Sequence, residues 1–250
     1  MLSATRHDAI LKRLRHDGEV SVQALVDDLR VSASTIRRDL DVLSQDGLLR
    51  RVRGGGSSVE SDATGFREVA HQASAEKEAI AIRAAALVPE RSVVVIDIGT
   101  TTARLAHHLR GRRLTVITSS LAVVDQLRDE DQIELIVLGG VLRTNYLSLV
   151  GMLTEQALGQ LRANLCFLSG SGIRADGGVM DTTGIEVPVK RAMLAAAERT
   201  ILLADRTKFP GTGLLGVCGP DRIAVLVTNQ GADPATLSTF QAAGTEVITV

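Results

Sequence analysis

The chain has 250 residues and a formal net charge of −1, and 45% of its residues are hydrophobic although only 2% are aromatic. This length allows one or two domains, and the composition predicts a core built from Val, Leu, Ile and Ala. The nearly neutral charge excludes a polycationic protein, so any contact with nucleic acid must come from a local basic patch.

The N-terminal part of the chain is predicted to form three short helices and a β-hairpin. The first helix covers about residues 3–16 and ends at Gly18, because Gly suits the left-handed position that follows a helix. Ser21 can cap a second helix and Ser32 a third. The apolar residues of the third helix share one face, and they are Ile36, Leu40 and Leu43. Residues 48–55, which include Arg50, Arg51 and Arg53, predict a small β-wing with a basic tip.

Two short helices joined by a tight turn are typical of a helix-turn-helix, whose second helix enters the major groove of DNA. An Arg side chain there can bond a guanine or hold a phosphate, and the sequence leaves open which of these Arg37 and Arg38 does. The predicted DNA-binding residues are Ser32, Ser34, Thr35, Arg37, Arg38, Arg51 and Arg53. Surface arginines on a three-helix unit also occur without DNA binding, and periodicity alone leaves the two interpretations about even.

A stretch rich in Gly, Ser and acidic residues follows the wing and indicates a linker. We therefore predict a winged helix-turn-helix domain at residues 1–57, a linker at 58–73 and a second domain at 74–250. In the second domain strand-like runs alternate with helices, which predicts an α/β fold with a mainly parallel sheet. The predicted strands are residues 92–96, 114–118, 133–138, 165–169, 200–204, 223–227 and 246–250. The predicted helices are one that ends near residue 109 and those at residues 121–128, 152–161, 186–198 and 234–243.

Ligands of such sheets bind beyond the carboxyl ends of the strands, where this chain carries Gly, hydroxyl and charged residues. Residues 99–102 offer backbone N–H groups at a helix start, which suits an anion. We expect a phosphorylated sugar or polyol there, with the carboxylates bonding its hydroxyls. The residues of this predicted effector site are Asp97, Gly99, Thr100, Thr101, Thr102, Ser119, Ser120, Gly139, Gly140, Asp205 and Lys208. Each of these sequence features is weak evidence for an effector site by itself, since Gly-Thr-Thr after a strand is as often an ordinary turn.

The string VSASTIRRDL at residues 31–40, with the Gly54-Gly55 pair, resembles the winged helix-turn-helix of the DeoR family. These bacterial regulators are mostly repressors of sugar catabolism. The resemblance covers nearly the whole chain, and it implies a second domain that senses a phosphorylated sugar and resembles the ribose-5-phosphate isomerase fold. In the second domain it rests on Asp97, Gly99, Thr100, Thr101, Gly139, Gly140, Gly151, Lys190, Arg191, Ala192, Met193, Asp205 and Lys208.

Glu186 and Lys190 complete the predicted effector site, and the resemblance includes Lys190, although the i, i+4 spacing of the two residues alone is that of a surface ion pair. The sequence departs from the family at Arg53, where the family usually has His, and this change is expected to strengthen phosphate contact. It also lacks the Asn that the family often has after the strand that ends at Thr118. That difference bears on which effector is bound.

The predicted function is a repressor of a carbohydrate or polyol operon, whose operator affinity changes when a phosphorylated sugar or related metabolite binds. A dimer or higher homo-oligomer is expected, because paired half-sites multiply affinity. One alternative is a sugar-phosphate isomerase with an appended DNA-binding module, with Asp97, Glu186 or Asp205 as general base, but no motif marks any of them. Another is a protein-interaction module, which the basic wing argues against.

No catalytic residue, cofactor or metal is predicted. Cys166 and Cys218 are far apart and form no C-x-x-C pair, so two buried, reduced thiols are expected. The charged N-terminus does not resemble a signal peptide, and no apolar run approaches the roughly 18 residues of a membrane span. We therefore expect a cytoplasmic protein.

Overall fold

A computed structural model describes residues 3–17, 19–45, 48–52, 54–57, 66–211 and 213–250. The chain divides into two units, Met1–Thr64 and Gly65–Val250, which we call the winged unit and the sensor unit. Within the described residues, no helix combines the length and the apolar character that crossing a membrane requires. The same residues contain no group of His, Cys, Asp and Glu that could hold a metal ion.

The winged unit contains the three predicted helices and the predicted hairpin. Its elements are α1 (Ser3–Asp17), β1 (Glu19–Ser21), α2 (Val22–Leu29), α3 (Ala33–Gln45), β2 (Arg50–Val52) and β3 (Gly55–Ser57). The hairpin strands β2 and β3 pair antiparallel, and β1 adds to the other side of β3. Strand β1 was not predicted, because three residues are too few to show an alternating pattern.

A small apolar core holds these helices together. The spacing of its residues places Ile36, Leu40 and Leu43 of α3 on one buried face, against Leu25 of α2 and Ile10 of α1. Helix α2 begins where predicted, because Ser21 Oγ accepts a hydrogen bond from the backbone N–H of Ala24 at 3.1 Å. It ends at Arg30, whose φ of 52° turns the chain toward α3.

The sensor unit alternates strands and helices. Its helices are α4 (Phe66–His71), α5 (Ser74–Ala85), α6 (Thr100–His108), α7 (Leu121–Leu127), α8 (Met152–Gly159), α9 (Glu186–Ala196) and α10 (Pro234–Ala242). Its strands are β4 (Val93–Ile96), β5 (Leu114–Thr118), β6 (Ile133–Val137), β7 (Val141–Arg143), β8 (Ser148–Val150), β9 (Ala163–Leu168), β10 (Gly172–Ile173), β11 (Val179–Asp181), β12 (Ala197–Leu203), β13 (Leu215–Cys218), β14 (Val225–Thr228) and β15 (Glu246–Thr249).

Seven strands form one sheet in the order β15-β14-β12-β9-β4-β5-β6, and every neighbouring pair is parallel. These strands correspond to the seven predicted runs, so the predicted α/β fold with a mainly parallel sheet is confirmed. The chain moves outward from β4 to β6 and then crosses to β9 on the other side of β4. The change of direction between β4 and β9 is a topological switch point, where ligands of such sheets bind.

Helices cover both faces of this sheet. Val94 and Ile96 of β4 pack in the apolar layer of α5, α6 and α7, whereas Val95 packs in the layer of α8, α9 and α10. The strands are therefore buried on both faces, which explains their continuous apolar runs. Cys166 is buried and Cys218 half-buried, and both are free thiols. Burial raises the pKa of both, that of Cys218 to about 11.

Several short elements were not predicted. Helix α4 lies within the residues assigned to the linker, and α5 precedes the first predicted strand. Strands β7 and β8 form an antiparallel hairpin, and β10, β11 and β13 form a small separate sheet. These strands have two to four residues each, so their sequences carry no usable periodicity.

Candidate DNA-binding surface and effector site

Helix α3 begins in a network of hydroxyl groups. Ser32 Oγ accepts a hydrogen bond from the backbone N–H of Thr35 at 3.2 Å, so Ser32 is placed as the N-cap of α3. The hydroxyls of Ser34 and Thr35 each lie 2.8 Å from Ser32 Oγ. These hydroxyls therefore stand at the start of the helix, the part of a helix-turn-helix that approaches bases.

Arg37 and Arg38 lie on the exposed face of α3. The opposite side of the helix carries Ile36 and Leu40, which are fully buried and fix how the helix is oriented on its core. Among the residues that the structure describes, neither guanidinium has a hydrogen bond or ion pair. Both side chains can therefore reach a ligand without first breaking an internal bond.

Arg51 is held within the winged unit. Its Nε donates to Asp41 Oδ1 at 2.7 Å, and its Nη1 donates to the Gly55 carbonyl. The guanidinium thus joins β2 to α3 and to the neighbouring strand β3. Arg53, the other predicted wing contact, lies outside the described residues.

Asp39, in the middle of the RRDL string, is buried. Its carboxylate accepts hydrogen bonds from Arg6 Nε at 2.5 Å, from Arg6 Nη2 at 2.8 Å, and contacts His7 Nε2 at 3.1 Å. The bond from Arg6 holds the pKa of Asp39 below its usual value. Asp39 therefore joins α1 to α3, a role that sequence reasoning missed, since only its charge was considered.

A buried ion pair lies at the topological switch point. Asp97 follows β4, and its Oδ2 accepts hydrogen bonds from Ser169 N at 2.9 Å and from Ser169 Oγ at 3.1 Å. Lys190 of α9 donates to the same oxygen at 2.5 Å. Asp181 Oδ2 is 3.6 Å from Lys190 Nζ. The structure thus brings two predicted site residues, Asp97 and Lys190, into direct contact.

The Lys190 ammonium is a permanent charge inside the unit. Asp97 and Lys190 are each 1% exposed. Burial by itself lowers the pKa of Lys190, but the carboxylates of Asp97 and Asp181 outweigh it, and the pKa lies above its usual value. Burying such a pair costs free energy, so it is poor evidence for a stabilising role and marks a candidate functional site.

The expectation that Glu186 and Lys190 form a surface pair is wrong, because both are buried and each has other partners. Glu186 Oε1 accepts hydrogen bonds from Arg143 Nη1 and from Ser148 Oγ, the latter at 2.6 Å. The Arg143 guanidinium lies 5.3 Å from the centre of the Tyr146 ring. We call Asp97, Asp181, Arg143, Glu186 and Lys190 the central cluster.

Residues 99–102 form the turn into α6. Gly99 has a φ of 141°, and a Cβ there would lie 2.8 Å from Ser169 Oγ, so this position needs glycine. Thr100, Thr101 and Thr102 are buried, and Thr102 Oγ1 donates to the Gly99 carbonyl at 3.0 Å. The first N–H groups of a helix have no partner in the helix, so this turn provides anion-binding donors.

The predicted residues after β5 and β6 have distinct environments. Ser120 Oγ caps α7 by accepting a hydrogen bond from Val123 N at 3.3 Å. Ser119 Oγ is buried and lacks a hydrogen-bond partner among the described residues. Gly139 is exposed, whereas Gly140 has a φ of 155° and is packed against β8. Ser119 is therefore the member of this group with an unused donor.

A second group of charges surrounds Lys77 of α5. Lys77 is 3% exposed, and its Nζ donates to the Val69 carbonyl at 2.6 Å. Burial lowers the pKa of Lys77; Asp205 opposes this effect, while Lys208 and Arg104 add to it. We call Lys77, Arg104, Asp205 and Lys208 the Lys77 cluster. Glu78 is bonded to Arg104, and Glu76 also lies near Lys77. Among the described residues the ammonium groups of Lys77 and Lys208 have no bond to a carboxylate, so they are the members of the cluster available to an anion.

Asp205 and Lys208 belong to a turn after β12. The backbone N–H of Thr207 donates to Asp205 Oδ1 at 2.9 Å, and the Thr207 hydroxyl bonds the same oxygen. Arg206 Nη2 lies 3.5 Å from Glu76 Oε1 in the first turn of α5. This contact brings the turn close to Lys77.

Sequence reasoning missed Lys77 and assigned no role to Arg143. Lys77 precedes Ile80, Ala81 and Ala84 by three, four and seven residues, so it occupies the apolar face of a helix. A lysine on such a face is a signal for a buried charge. Arg143 gave no comparable signal, because its partner Glu186 is 43 residues away in the chain.

Comparison with known proteins covers most of the chain. Residues 6–62 match the model of the DeoR-like helix-turn-helix domain, and residues 72–230 match that of the DeoR C terminal sensor domain. HTH-type transcriptional regulator GolR of Listeria innocua is 33% identical over 250 residues, which cover 99% of this chain and 98% of that protein.

A second relative is the glycerol-3-phosphate regulon repressor of Haemophilus influenzae, which is 35% identical over 211 residues, or 84% of this chain and 82% of that protein. Ribose 5-phosphate isomerase A from Methanocaldococcus jannaschii superposes on 53% of this chain and 52% of its own, with 15% identity and a TM-score of 0.39. The domain models together with the curated relatives identify the family. The chain belongs to the DeoR family and is a DNA-binding transcriptional regulator.

Proposed function

We propose that this regulator represses a carbohydrate or polyol catabolic operon and that a phosphorylated sugar or related metabolite alters its affinity for operator DNA. The observation that carries the proposal is the pair of charged clusters in the sensor unit, one centred on the buried Asp97–Lys190 pair and one on Lys77. Regulators of this family are mostly repressors, and the relative named for a glycerol-3-phosphate regulon is a repressor.

The two clusters suit the two ends of such an effector. The Lys77 cluster and the N–H groups of the turn into α6 would hold the phosphate, because both present positive charge or donors. The central cluster contains three carboxylates, Asp97, Asp181 and Glu186, which accept hydrogen bonds from sugar hydroxyls. Predicted residues Thr100, Thr101, Ser119, Asp205 and Lys208 are part of this proposal.

The winged unit would bind DNA through the exposed face of α3. We propose that Arg37 and Arg38 contact the major groove and that Ser34 and Thr35 contribute donors at the helix start. Arg37 and Arg38 are exposed and have no internal partner within the described residues, and both facts support this assignment. Arg51 and Arg53 remain proposed phosphate contacts of the wing.

A thermal-shift panel of sugar phosphates and phosphorylated polyols, including glycerol 3-phosphate, tests the effector proposal. A compound that binds only the folded state raises the melting temperature by mass action, by an amount equivalent to about 2.7 kcal/mol at a hundred times its Kd. We expect at least one compound to do so with wild-type protein, and the shift to disappear in Lys208→Ala and Thr101→Ala. A panel without any shift, or shifts unchanged in both variants, would reject this site.

We also propose that the protein acts as a homo-oligomer of at least two chains. A single winged unit offers a small DNA interface, and two units on paired half-sites gain affinity from their linkage. Size-exclusion chromatography with light scattering measures the mass directly. A monomer of 26.5 kDa at micromolar concentration, with or without operator DNA, would refute the proposal.

We propose no catalytic activity for the sensor unit. The carboxylates considered as general bases are engaged by internal donors: Asp97 by Lys190, Glu186 by Arg143, and Asp205 by Thr207. Incubation with ribose 5-phosphate is the direct check. Turnover that disappears in Asp205→Ala would show an isomerase instead.

A further inference from the structure

Helix α4 is the first helix of the sensor unit, and only residues 58–65 separate it in sequence from the last strand of the winged unit. Its carbonyl groups and its first N–H are bonded to other parts of the sensor unit. These bonds run from Lys77 Nζ to the Val69 carbonyl (2.6 Å), from Arg104 Nη2 to the Ala70 carbonyl (3.2 Å), and from Phe66 N to the Asn145 carbonyl (2.9 Å).

Two of these donors, Lys77 and Arg104, belong to the Lys77 cluster. Lys77 is buried, and across the described ranges its ammonium has one hydrogen-bond acceptor, the Val69 carbonyl. An ammonium carries three N–H donors, so this cation is under-satisfied. Arg104 has a carboxylate partner, Glu78, besides the Ala70 carbonyl and the Ser74 hydroxyl.

We propose that a bound phosphate and the carbonyls of α4 compete for Lys77 and Arg104, so that effector binding releases α4. The inference rests on the proposed phosphate site. A charged phosphate oxygen accepts hydrogen bonds more strongly than a neutral carbonyl, so it wins the shared donors. Helix α4 has six residues, too few to persist in water without such contacts.

This competition gives the effector a route to the segment that leads to the winged unit. A ligand shifts a conformational equilibrium only if it binds the two states differently. Here the two conformations differ in what Lys77 and Arg104 bond. Without effector these cations bond the carbonyls of α4, and with effector they bond the phosphate. Lys77 and Arg104 take part in both states, and they therefore transmit the signal.

Hydrogen exchange followed by mass spectrometry on the full chain tests the competition. The probes are inorganic phosphate and glycerol 3-phosphate, each at a concentration that saturates the thermal shift, with sodium chloride at equal ionic strength as reference. We expect peptides covering residues 66–72 to exchange about tenfold faster with either probe, the effect of losing one hydrogen bond to a charged donor.

Two substitutions on α5 sharpen the test. In Lys77→Met, which keeps the length of the side chain but removes its donor, exchange at residues 66–72 is expected to be fast already and unchanged by phosphate. Arg83→Gln removes a cation from the same helix that has no partner among the described residues, and it is expected to behave as wild type.

The outcomes separate this inference from the proposed function. A thermal shift with unchanged or slower exchange at residues 66–72 in wild-type protein overturns the competition and leaves the effector site standing. No thermal shift with either probe overturns the inference, whereas the proposed function falls only if the whole panel of sugar phosphates gives no shift. The wild-type measurement decides by itself if Lys77→Met does not fold.

Discussion

Arginines that look alike in the sequence of the winged unit have different surroundings. Arg37 and Arg38 are exposed and have no partner within the described residues, whereas Arg51 is bonded to Asp41 and to the wing backbone. Arg6 is buried against Asp39. Composition and spacing identify a basic patch, but only the contacts distinguish arginines without an internal partner from those, such as Arg51, that also hold the unit together.

Replacing Arg37 or Arg38 with Ala should weaken operator binding. The arginine that contacts a guanine is expected to contribute about 1–3 kcal/mol and to relax specificity at one position. The one that contacts phosphate should lower affinity for all sequences and reduce the slope of log K against log salt by about one. Fluorescence anisotropy with a duplex selected from random sequences measures both effects. Arg128→Ala, exposed on the sensor unit, is the matched control, and wild-type binding by the double variant refutes the assignment.

Asp41→Asn should increase affinity for DNA. The change removes a negative charge from α3 and frees the Arg51 guanidinium that Asp41 Oδ1 now holds at 2.7 Å. We expect several-fold tighter binding and a steeper salt dependence in the same anisotropy assay. Unchanged affinity and slope would mean that Arg51 serves only to join the wing to α3.

Asp97→Asn should destabilise the sensor unit, because it removes the close carboxylate of a buried ammonium. The cost expected for breaking a buried pair is about 3–5 kcal/mol. The double variant Asp97→Asn/Lys190→Met should recover part of this loss, since the buried ammonium is removed together with its close carboxylate, and Asp181 loses only its longer contact with Lys190. Urea unfolding of the wild type, the two single variants Asp97→Asn and Lys190→Met, and the double variant gives the coupling energy between the two residues. Additive effects would contradict the account of the pair as one unit.

At the scale of secondary structure, the sequence contained most of the fold. The seven strands of the large sheet were predicted because they are buried on both faces and so appear as continuous apolar runs. The strands outside the large sheet, which have two to four residues each, could not be predicted, since their pairing depends on distant partners. Only part of the site was predicted, because some of its contacts also join distant residues. Asp97 and Asp205 are identified by their positions at strand ends. The bonds from Lys190 to Asp97 and from Arg143 to Glu186 span 93 and 43 residues and leave no pattern in the sequence.

The turn between β6 and β7 requires glycine at residue 140 but leaves room for a side chain at residue 139. Gly140 has a φ of 155°, and a Cβ there would lie 2.6 Å from the Val150 carbonyl oxygen. Gly140→Ala should therefore lower stability by about 1–3 kcal/mol or more, as measured by chemical unfolding. Gly139→Ala is the control, because a Cβ at that position meets no atom within 4 Å. Equal stability of the two variants would contradict the described packing.

The bond between α1 and α3 should make the winged unit sensitive to acid. Folding lowers the pKa of Asp39, chiefly through the hydrogen bond from Arg6. A lowered pKa gives stability that is present above the unfolded pKa, about 4 for Asp, and is lost as the pH falls through the folded value.

Methyl NMR signals of Ile10 and Ile36, both in the core of this unit, report its folding. We expect Asp39→Asn to be less stable at pH 7 and to lose part of the acid dependence between about pH 5 and 2. Asp8→Asn, at an exposed position of α1, serves as control. An identical acid transition in wild type and Asp39→Asn would contradict this role.

At the scale of the whole molecule, the chain pairs a DNA-binding unit with a parallel α/β unit that carries two charged clusters. Coupling between an effector and an operator is a free energy shared by two sites, and it changes affinity about 5- to 150-fold in typical cases. Membership of the family establishes that the protein regulates transcription. The charged clusters support the proposal that its effector is phosphorylated.

The most direct test is the affinity for a selected operator duplex, measured by fluorescence anisotropy while the sugar phosphates that shift the melting temperature are added. We expect at least one of them to change Kd by fivefold or more. We also expect Lys208→Ala to keep the operator affinity measured without effector and to lose the response. An operator Kd that stays constant with every compound that binds would contradict the claim that this regulator reads a phosphorylated metabolite.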